Sequence, residues 1–313
     1  MISAIPNGIL PLFAIIILGF TAVRIKLLGI NAAHVLHRFV YYFAFPALLF
    51  ISLSKAKVTT ILNGPFMLAF IGSMLIIYAL TYLIAHVFMS KEELYDPMRA
   101  CCAAFPNAGY IGIPFLYVVF GEKGLVPAAL ANVLTMIPAI LTLFLLDLKQ
   151  SQTESSWFAL QKALLHTARN PSVIAPILGI LYSATGLSIP KSVNLFFVQL
   201  GNAAIPCALF AIGLNLKIGN FMTRPRAYTT LMAMKLLVHP LVTLALMLWL
   251  QVDRLWAVSG FLVSALPTGV LISIIANQYK TYETQSNALI FLTTALSILT
   301  LSVAILTIPI FWA

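Results

Sequence analysis

The sequence predicts an all-α integral membrane protein of ten transmembrane helices, built as two inverted five-helix repeats. Composition is the first sign: 61% of the 313 residues are hydrophobic and 8% charged, against roughly 45–50% and 25% in soluble domains. A helix crossing the ~30 Å hydrocarbon core needs about 20 mostly apolar residues, and runs of that kind follow one another nearly end to end here. Finally, a proline motif recurs at matching places in the two halves.

The spans fall at 5–24, 35–54, 65–89, 97–120, 125–148, 171–188, 192–216, 227–250, 254–279 and 284–311. The first, Ile5 to Val23, has no basic residue before it and no small-residue cleavage site after it, which predicts a retained helix rather than a signal peptide. The second carries FPALLF (Phe45–Phe50) and the seventh IPCALF (Ile205–Phe210), sharing P-x-x-L-F. The fourth carries AFPNAG (Ala104–Gly109) and the ninth ALPTG (Ala265–Gly269), again at equivalent places. Between the fifth and sixth lies the longest polar stretch, Lys149 to Asn170, with Trp157 to His166 patterned as an amphipathic surface helix. It divides the chain into a first repeat (1–150), a central loop (151–170) and a second repeat (171–313), the latter inverted because five crossings reverse it. Odd-numbered connections hold twelve Lys and Arg, even-numbered ones five. By the positive-inside rule the odd connections, central loop included, are cytoplasmic and both termini lie outside.

The formal charge of +10 arises from single cations scattered between apolar runs, a pattern of topology and lipid contact rather than of nucleic-acid binding. Cys101, Cys102 and Cys207 lie in apolar segments without a C-x-x-C pair and read as packing residues. With no nucleotide loop and no usual hydrolase motif, the sequence predicts neither an enzyme nor a bound cofactor. A carrier without an ATP site draws on an ion gradient, the membrane potential or its substrate's own gradient.

Proline in a helix removes one backbone hydrogen bond and clashes with the carbonyl four residues earlier. At membrane depth such a break is tolerated only where protein buries it or a wet cavity lines it. Pro106, Asn107, Gly109, Gly112 and Pro114 fall within nine residues of the fourth span. That density, matched by Pro267 and Thr268 in the ninth, predicts two interrupted helices at a midplane transport site. Asn107 and Thr268 each follow the breaking proline, placed to satisfy freed backbone and to contact a substrate. Lys235, nine residues beyond Arg226, sits about 13 Å into the membrane at 1.5 Å per residue, with His239 one turn further on. Three readings stay open for it: attraction of an anion or a proton-linked switch, stabilisation of broken-helix carbonyls, or snorkelling to the interface. Tyr42, Gln199, Asn202 and His239 are candidate cavity-lining residues. His34, His37, His86 and His166 read as interfacial or packing residues, and Asp147 as an interfacial charge beside Lys149.

PNAGYIGIP (Pro106–Pro114), RFVYYFAFPALLF (Arg38–Phe50), AIGLNL (Ala211–Leu216) and LPTG (Leu266–Gly269) together resemble auxin efflux carrier family permeases over essentially the whole length. The short central loop is like that of bacterial, malonate-permease-type members. The resemblance implies a fold similar to bile-acid symporters and sodium/proton antiporters, with the fourth and ninth helices crossing at their breaks. It also implies a scaffold from helices 1, 2, 6 and 7, a transport domain from helices 3–5 and 8–10, elevator-like alternating access, and a homodimer. Asn132 matches an asparagine the family uses near the crossover. Half-helix N-termini converging on one spot suit a carboxylate, so the expected substrate is a small organic anion held by Pro106, Asn107, Gly109, Asn132, Pro267, Thr268 and Lys235. The deep acidic pair of the antiporters is missing, which argues against cation exchange. A sodium-coupled anion symporter and a non-transporting membrane sensor are the alternatives.

Overall fold

The computed structural model describes residues 10–56, 63–89, 94–150, 161, 170–215 and 225–311. Helix α1 (Leu10–Arg24) is followed by α2 (Ile30–Phe39), which passes through a π-helical turn, Val40–Ala44, into α3 (Phe45–Ser54). Next come α4 (Gly64–Phe88) and α5 (Tyr95–Ala104). A second π turn, Ala108–Gly112, opens α6 (Ile113–Phe120), and a 3-10 turn, Gly121–Gly124, leads into α7 (Leu125–Leu134) and α8 (Met136–Gln150). The rest comprises α9 (Pro171–Ala184), α10 (Lys191–Asn202), α11 (Ala204–Asn215), α12 (Pro225–Ala233), a third π turn (Met234–Val238), α13 (His239–Trp249), α14 (Arg254–Ser264), α15 (Leu271–Gln278) and α16 (Glu283–Phe311).

Among the described residues six stretches are long and apolar enough to cross a membrane: Asn31–Ser54, Gly64–Phe88, Ala108–Lys149, Lys191–Asn215, Pro225–Trp249 and Glu283–Ile308. Shorter apolar helices cover Leu10–Arg24, Val173–Ala184 and Arg254–Ser264. Large apolar side chains such as Leu68, Leu83, Leu241 and Leu299 point outward along these helices, where lipid rather than water meets them. The chain is therefore a multi-pass helical membrane protein. The surface helix expected over Trp157–His166 lies, but for Gln161, outside the described residues.

All three π turns share a cause that the spans do not show. Each ends two residues before a proline, Pro46, Pro114 or Pro240, which takes the second position of the next helix. A proline there strands the carbonyl four residues back and crowds it. Widening the turn by one residue lets a neighbour reach five residues back, as Phe45 N–H does to Val40 O and His239 N–H to Met234 O, so the helix continues past the proline.

The chain forms two compact units. One comprises residues 1–63, 108–133 and 168–216. Its helices pack through small residues: a Cβ on Gly19 of α1 would strike the Phe210 carbonyl of α11, and one on Gly213 of α11 would strike the Ile16 carbonyl of α1. Similarly, α3 receives α9 at Gly179 and α10 at Gly201, where a Cβ would come within 3.0 Å of Leu48 Cα. Close backbone approach of this kind drives helix association where no hydrophobic effect operates between helices.

The other unit comprises residues 64–107, 134–167 and 217–313. Its core gathers Tyr78, Met98, Cys101, Cys102, Leu146, Leu231, Met234, Ile272 and Ile275, so two of the three cysteines are packing residues. Phe66 stacks on Phe70 at 5.5 Å between centroids and meets Trp256 at 5.0 Å.

Candidate functional site

In the second unit the helix begun by α5 stops at Ala104, and the helix begun by α14 stops at Ser264. Past Phe105 on one chain segment and past Leu266 on the other, the backbone leaves the helix, and the two segments pair antiparallel at Pro106 and Thr268. Asn107 N–H donates to Pro267 O (2.9 Å) and Gly269 N–H to Phe105 O (3.0 Å). Among the described residues this is the one β pairing, and it closes four backbone groups that the prolines leave without helical partners. Glycine is required at 269, where a Cβ would run into the Phe105 ring.

The remaining freed groups find side chains. Pro106 has no N–H to offer the carbonyl four residues back, Cys102; the Thr268 hydroxyl donates to it at 2.8 Å. Thr268 N–H in turn donates to Thr293 Oγ1 of α16 at 3.2 Å. The Ser264 carbonyl accepts from Lys235 Nζ at 2.7 Å, and the same ammonium lies 3.2 Å from His239 Nδ1. Lys235 and His239 are completely buried, which excludes snorkelling and supports the carbonyl-stabilising reading of Lys235. His239 Nε2, on the far side of the ring from Lys235, is buried without a hydrogen-bond partner. Asn107 and Thr268 are 3% and 1% exposed, so the residues after both prolines are held inside this unit.

The first unit holds the other candidates. Gly109 lies in the π turn that opens α6, and a Cβ there would come 2.9 Å from Asn132 Oδ1 of α7, so the Asn132 amide rests against the glycine backbone. Beside it the Tyr110 ring is gripped edge-on by His37 and Phe45, each at 5.2 Å. Tyr42 is 51% exposed, and Gln199 and Asn202 are exposed on α10.

Comparison with known proteins settles the class. Residues 5–305 match a family model described as membrane transport protein. The chain belongs to this family. The motif resemblance to auxin efflux carrier permeases is thus met by a match over nearly the whole transporter. Relatives include a "Putative malonate transporter" of Rhizobium meliloti (strain 1021), 28% identical over 308 residues that cover 96% of this chain and 94% of that one. The "Uncharacterized transporter YfdV" of Escherichia coli (strain K12) is 25% identical, covering 92% of both chains. An "Uncharacterized transporter" of Methanothermobacter thermautotrophicus is 26% identical over 94% of this chain and 95% of its own. Family and relatives point to a transporter of small molecules, not to an enzyme.

The structure of this transporter also assembles a polar cluster that the linear pattern does not reveal. At the start of α5, Asp96 (3% exposed) accepts from Arg99 Nη1 at 3.0 Å and lies 3.3 Å from His86 Nδ1 of α4. The Arg99 guanidinium, 1% exposed, lies over the rings of Tyr95 (5.3 Å) and Tyr282 (5.7 Å). Burial pushes the Tyr282 phenol above its usual range, so it stays a neutral hydroxyl. Asp147, read as an interfacial charge, is only 8% exposed and accepts from Tyr279 Oη at 2.6 Å. Two of the chain's eight carboxylates are therefore buried and satisfied. The signal available in sequence was the Tyr-Asp-x-x-Arg spacing of Tyr95, Asp96 and Arg99, one helical turn between opposite charges.

Proposed function

We propose that the protein is a secondary carrier of small organic anions, carboxylates of the malonate or auxin-like type, working by elevator-type alternating access. The observation that carries this is the paired interruption at Pro106 and Pro267. Maintaining a break in two buried helices costs backbone hydrogen bonds, and here nearly every loss is offset by a dedicated donor, which marks the break as retained for use. The name of the Rhizobium meliloti relative supports a dicarboxylate substrate. The Asn107 amide and the N-terminus of α15, whose positive end begins just past Thr268, are the groups that suit a carboxylate in this unit.

Around this site the proposal places ten crossings in two inverted five-helix repeats. The moving part comes from helices 3–5 and 8–10, and the scaffold, which also joins two copies as a homodimer, from helices 1, 2, 6 and 7. Gly109 and Asn132 contribute to substrate selection, as the family resemblance suggests. The excess of Lys and Arg in odd-numbered connections supports both termini lying outside the cell membrane, the inner membrane in a bacterial cell.

The test is malonate-dependent current on a solid-supported membrane carrying the purified protein, with labelled-malonate flux in proteoliposomes beside it. Flux that falls tenfold or more in Asn107→Ala supports the reading. Binding of carboxylates without flux of any of them would make the protein a sensor and refute it.

A further inference from the structure

The first unit contains a cavity of about 290 Å³ lined by Ser54, Lys55, Leu187, Ser188, Ile189 and Asn194. Its walls are the end of α3, the connection from α9 to α10 and the first turn of α10. Ser54 is the last residue of the apolar crossing Asn31–Ser54, and Lys191 the first of Lys191–Asn215, so the cavity lies where two spans reach the membrane boundary. The walls are tied to one another. The Ser183 hydroxyl of α9 donates to the Ala56 carbonyl just past α3, and Tyr182 Oη donates to Ser188 O at 3.3 Å. Phe50 of α3 packs on Phe197 of α10 with 4.8 Å between centroids. The enclosed space is roughly ten times the volume of one water in the liquid, which is room for a small polar group.

The lining has two kinds of polar atom. Lys55, its one charged residue, brings a positive charge and three N–H donors. Asn194 Oδ1 is buried and has no hydrogen-bond partner in the protein. The Ser54 hydroxyl already donates to the Ile51 carbonyl at 3.1 Å, so toward the cavity it too has lone pairs to offer. Leaving a buried amide oxygen unpaired is unfavourable, and a ligand bringing N–H groups removes that penalty. A simple anion would satisfy Lys55 but set its oxygens against the lone pairs of Asn194 and Ser54. A quaternary ammonium has charge and no N–H. A primary ammonium joined to a phosphate meets both requirements. At a membrane boundary that combination is the headgroup of phosphatidylethanolamine, and the exposed apolar side chains of Leu187, Leu195 and Phe196 offer its acyl chains a surface.

We propose that this cavity binds the ethanolamine phosphate headgroup of a membrane lipid, with Lys55 on the phosphate and Asn194 Oδ1 accepting from the ammonium. The inference does not depend on the anion-carrier reading above.

The test is native mass spectrometry of the purified full-length protein in detergent, with phosphatidylethanolamine and phosphatidylcholine supplied in turn at equal concentration. The two lipids share the phosphate and differ in whether the ammonium has N–H to give. Wild type should hold the ethanolamine lipid about fivefold or more over the choline lipid, the worth of a hydrogen bond to a charged group. Asn194→Leu should abolish that preference, and Lys55→Met should reduce adducts of both lipids. Equal wild-type binding of the two lipids, or a preference that survives in Asn194→Leu, overturns the proposal. A ligand bound only by the folded state raises the unfolding midpoint; free O-phosphoethanolamine raising it as much as the lipid at equal concentration would make the occupant a soluble molecule and overturn the lipid assignment. Lipid adducts on the monomer that are absent from a dimer would give the cavity to a second copy, which also overturns it. If Asn194→Leu does not fold, the wild-type ratio of ethanolamine to choline lipid still decides.

Discussion

Thr268 tests whether the interruption at Pro106 is held by its side-chain donors. The Thr268 hydroxyl donates at 2.8 Å to the Cys102 carbonyl, and both residues are 1% exposed, so no water can take over. Thr268→Val keeps the shape and removes the donor, which isolates the hydrogen bond from any cavity effect. Leaving a buried carbonyl unsatisfied costs about 1–3 kcal/mol. At about 2 °C per kcal/mol for a chain of this size, the unfolding midpoint should fall by about 2–6 °C. Because the last turn of α5 leads directly into Pro106 and Asn107, a shift that re-satisfies Cys102 elsewhere displaces the Asn107 amide. Malonate flux should therefore fall about tenfold or more, since a misplacement near 1 Å is enough for such losses. Thr268→Ser, which keeps the hydroxyl, should recover most of both. Differential scanning fluorimetry in detergent and proteoliposome flux read the two effects. A Thr268→Val variant that melts within 1 °C of wild type and transports equally would refute the reasoning.

Other side chains give equally specific expectations. Gly109→Ala brings a Cβ to 2.9 Å from Asn132 Oδ1, crowding that should cost about 1 kcal/mol in stability and several-fold in flux; adding Asn132→Ala should restore the stability but not the flux. Arg99→Met leaves Asp96 buried without its guanidinium, a loss of roughly 3–5 kcal/mol visible as a collapsed size-exclusion peak. Asp96→Asn in the same chain should recover part of it, and a double variant worse than Arg99→Met alone would show that the pair is not the stabilising unit.

What the sequence could and could not reveal follows from how local each cause is. Composition alone specifies helices in lipid, because no other secondary structure satisfies its backbone there without closing a barrel. The breaks were legible at Pro106 and Pro267 because each proline sits with small or polar neighbours. Pro46, Pro114 and Pro240 carry the same covalent constraint and produced π turns instead. A proline's outcome depends on how the chain around it is re-satisfied: at Cys102 the donor is Thr268, 166 residues away in sequence, whereas at the π turns the backbone ladder shifts to five-residue bonds such as Phe45 N–H to Val40 O and His239 N–H to Met234 O. The second kind is too small a change in geometry to leave a compositional trace. Long-range pairing likewise hid the environment of Asp147, whose partner Tyr279 lies 132 residues distant.

Lys235 shows the same limit from the other side. Its depth in the span was legible and made a functional role the leading expectation, yet attraction of a substrate and satisfaction of a helix end both call for a buried cation at that height. Only the position of Nζ separates them. At 2.7 Å from Ser264 O, Nζ is already committed to the protein's own carbonyl at the end of α14, and an anion binding nearby would have to compete with that bond for it. The attraction left for a carboxylate then has to come from the Asn107 amide and the N-terminal end of α15, which no cation occupies. Substrate affinity should accordingly depend more steeply on Asn107 than on the difference between lysine and arginine at 235.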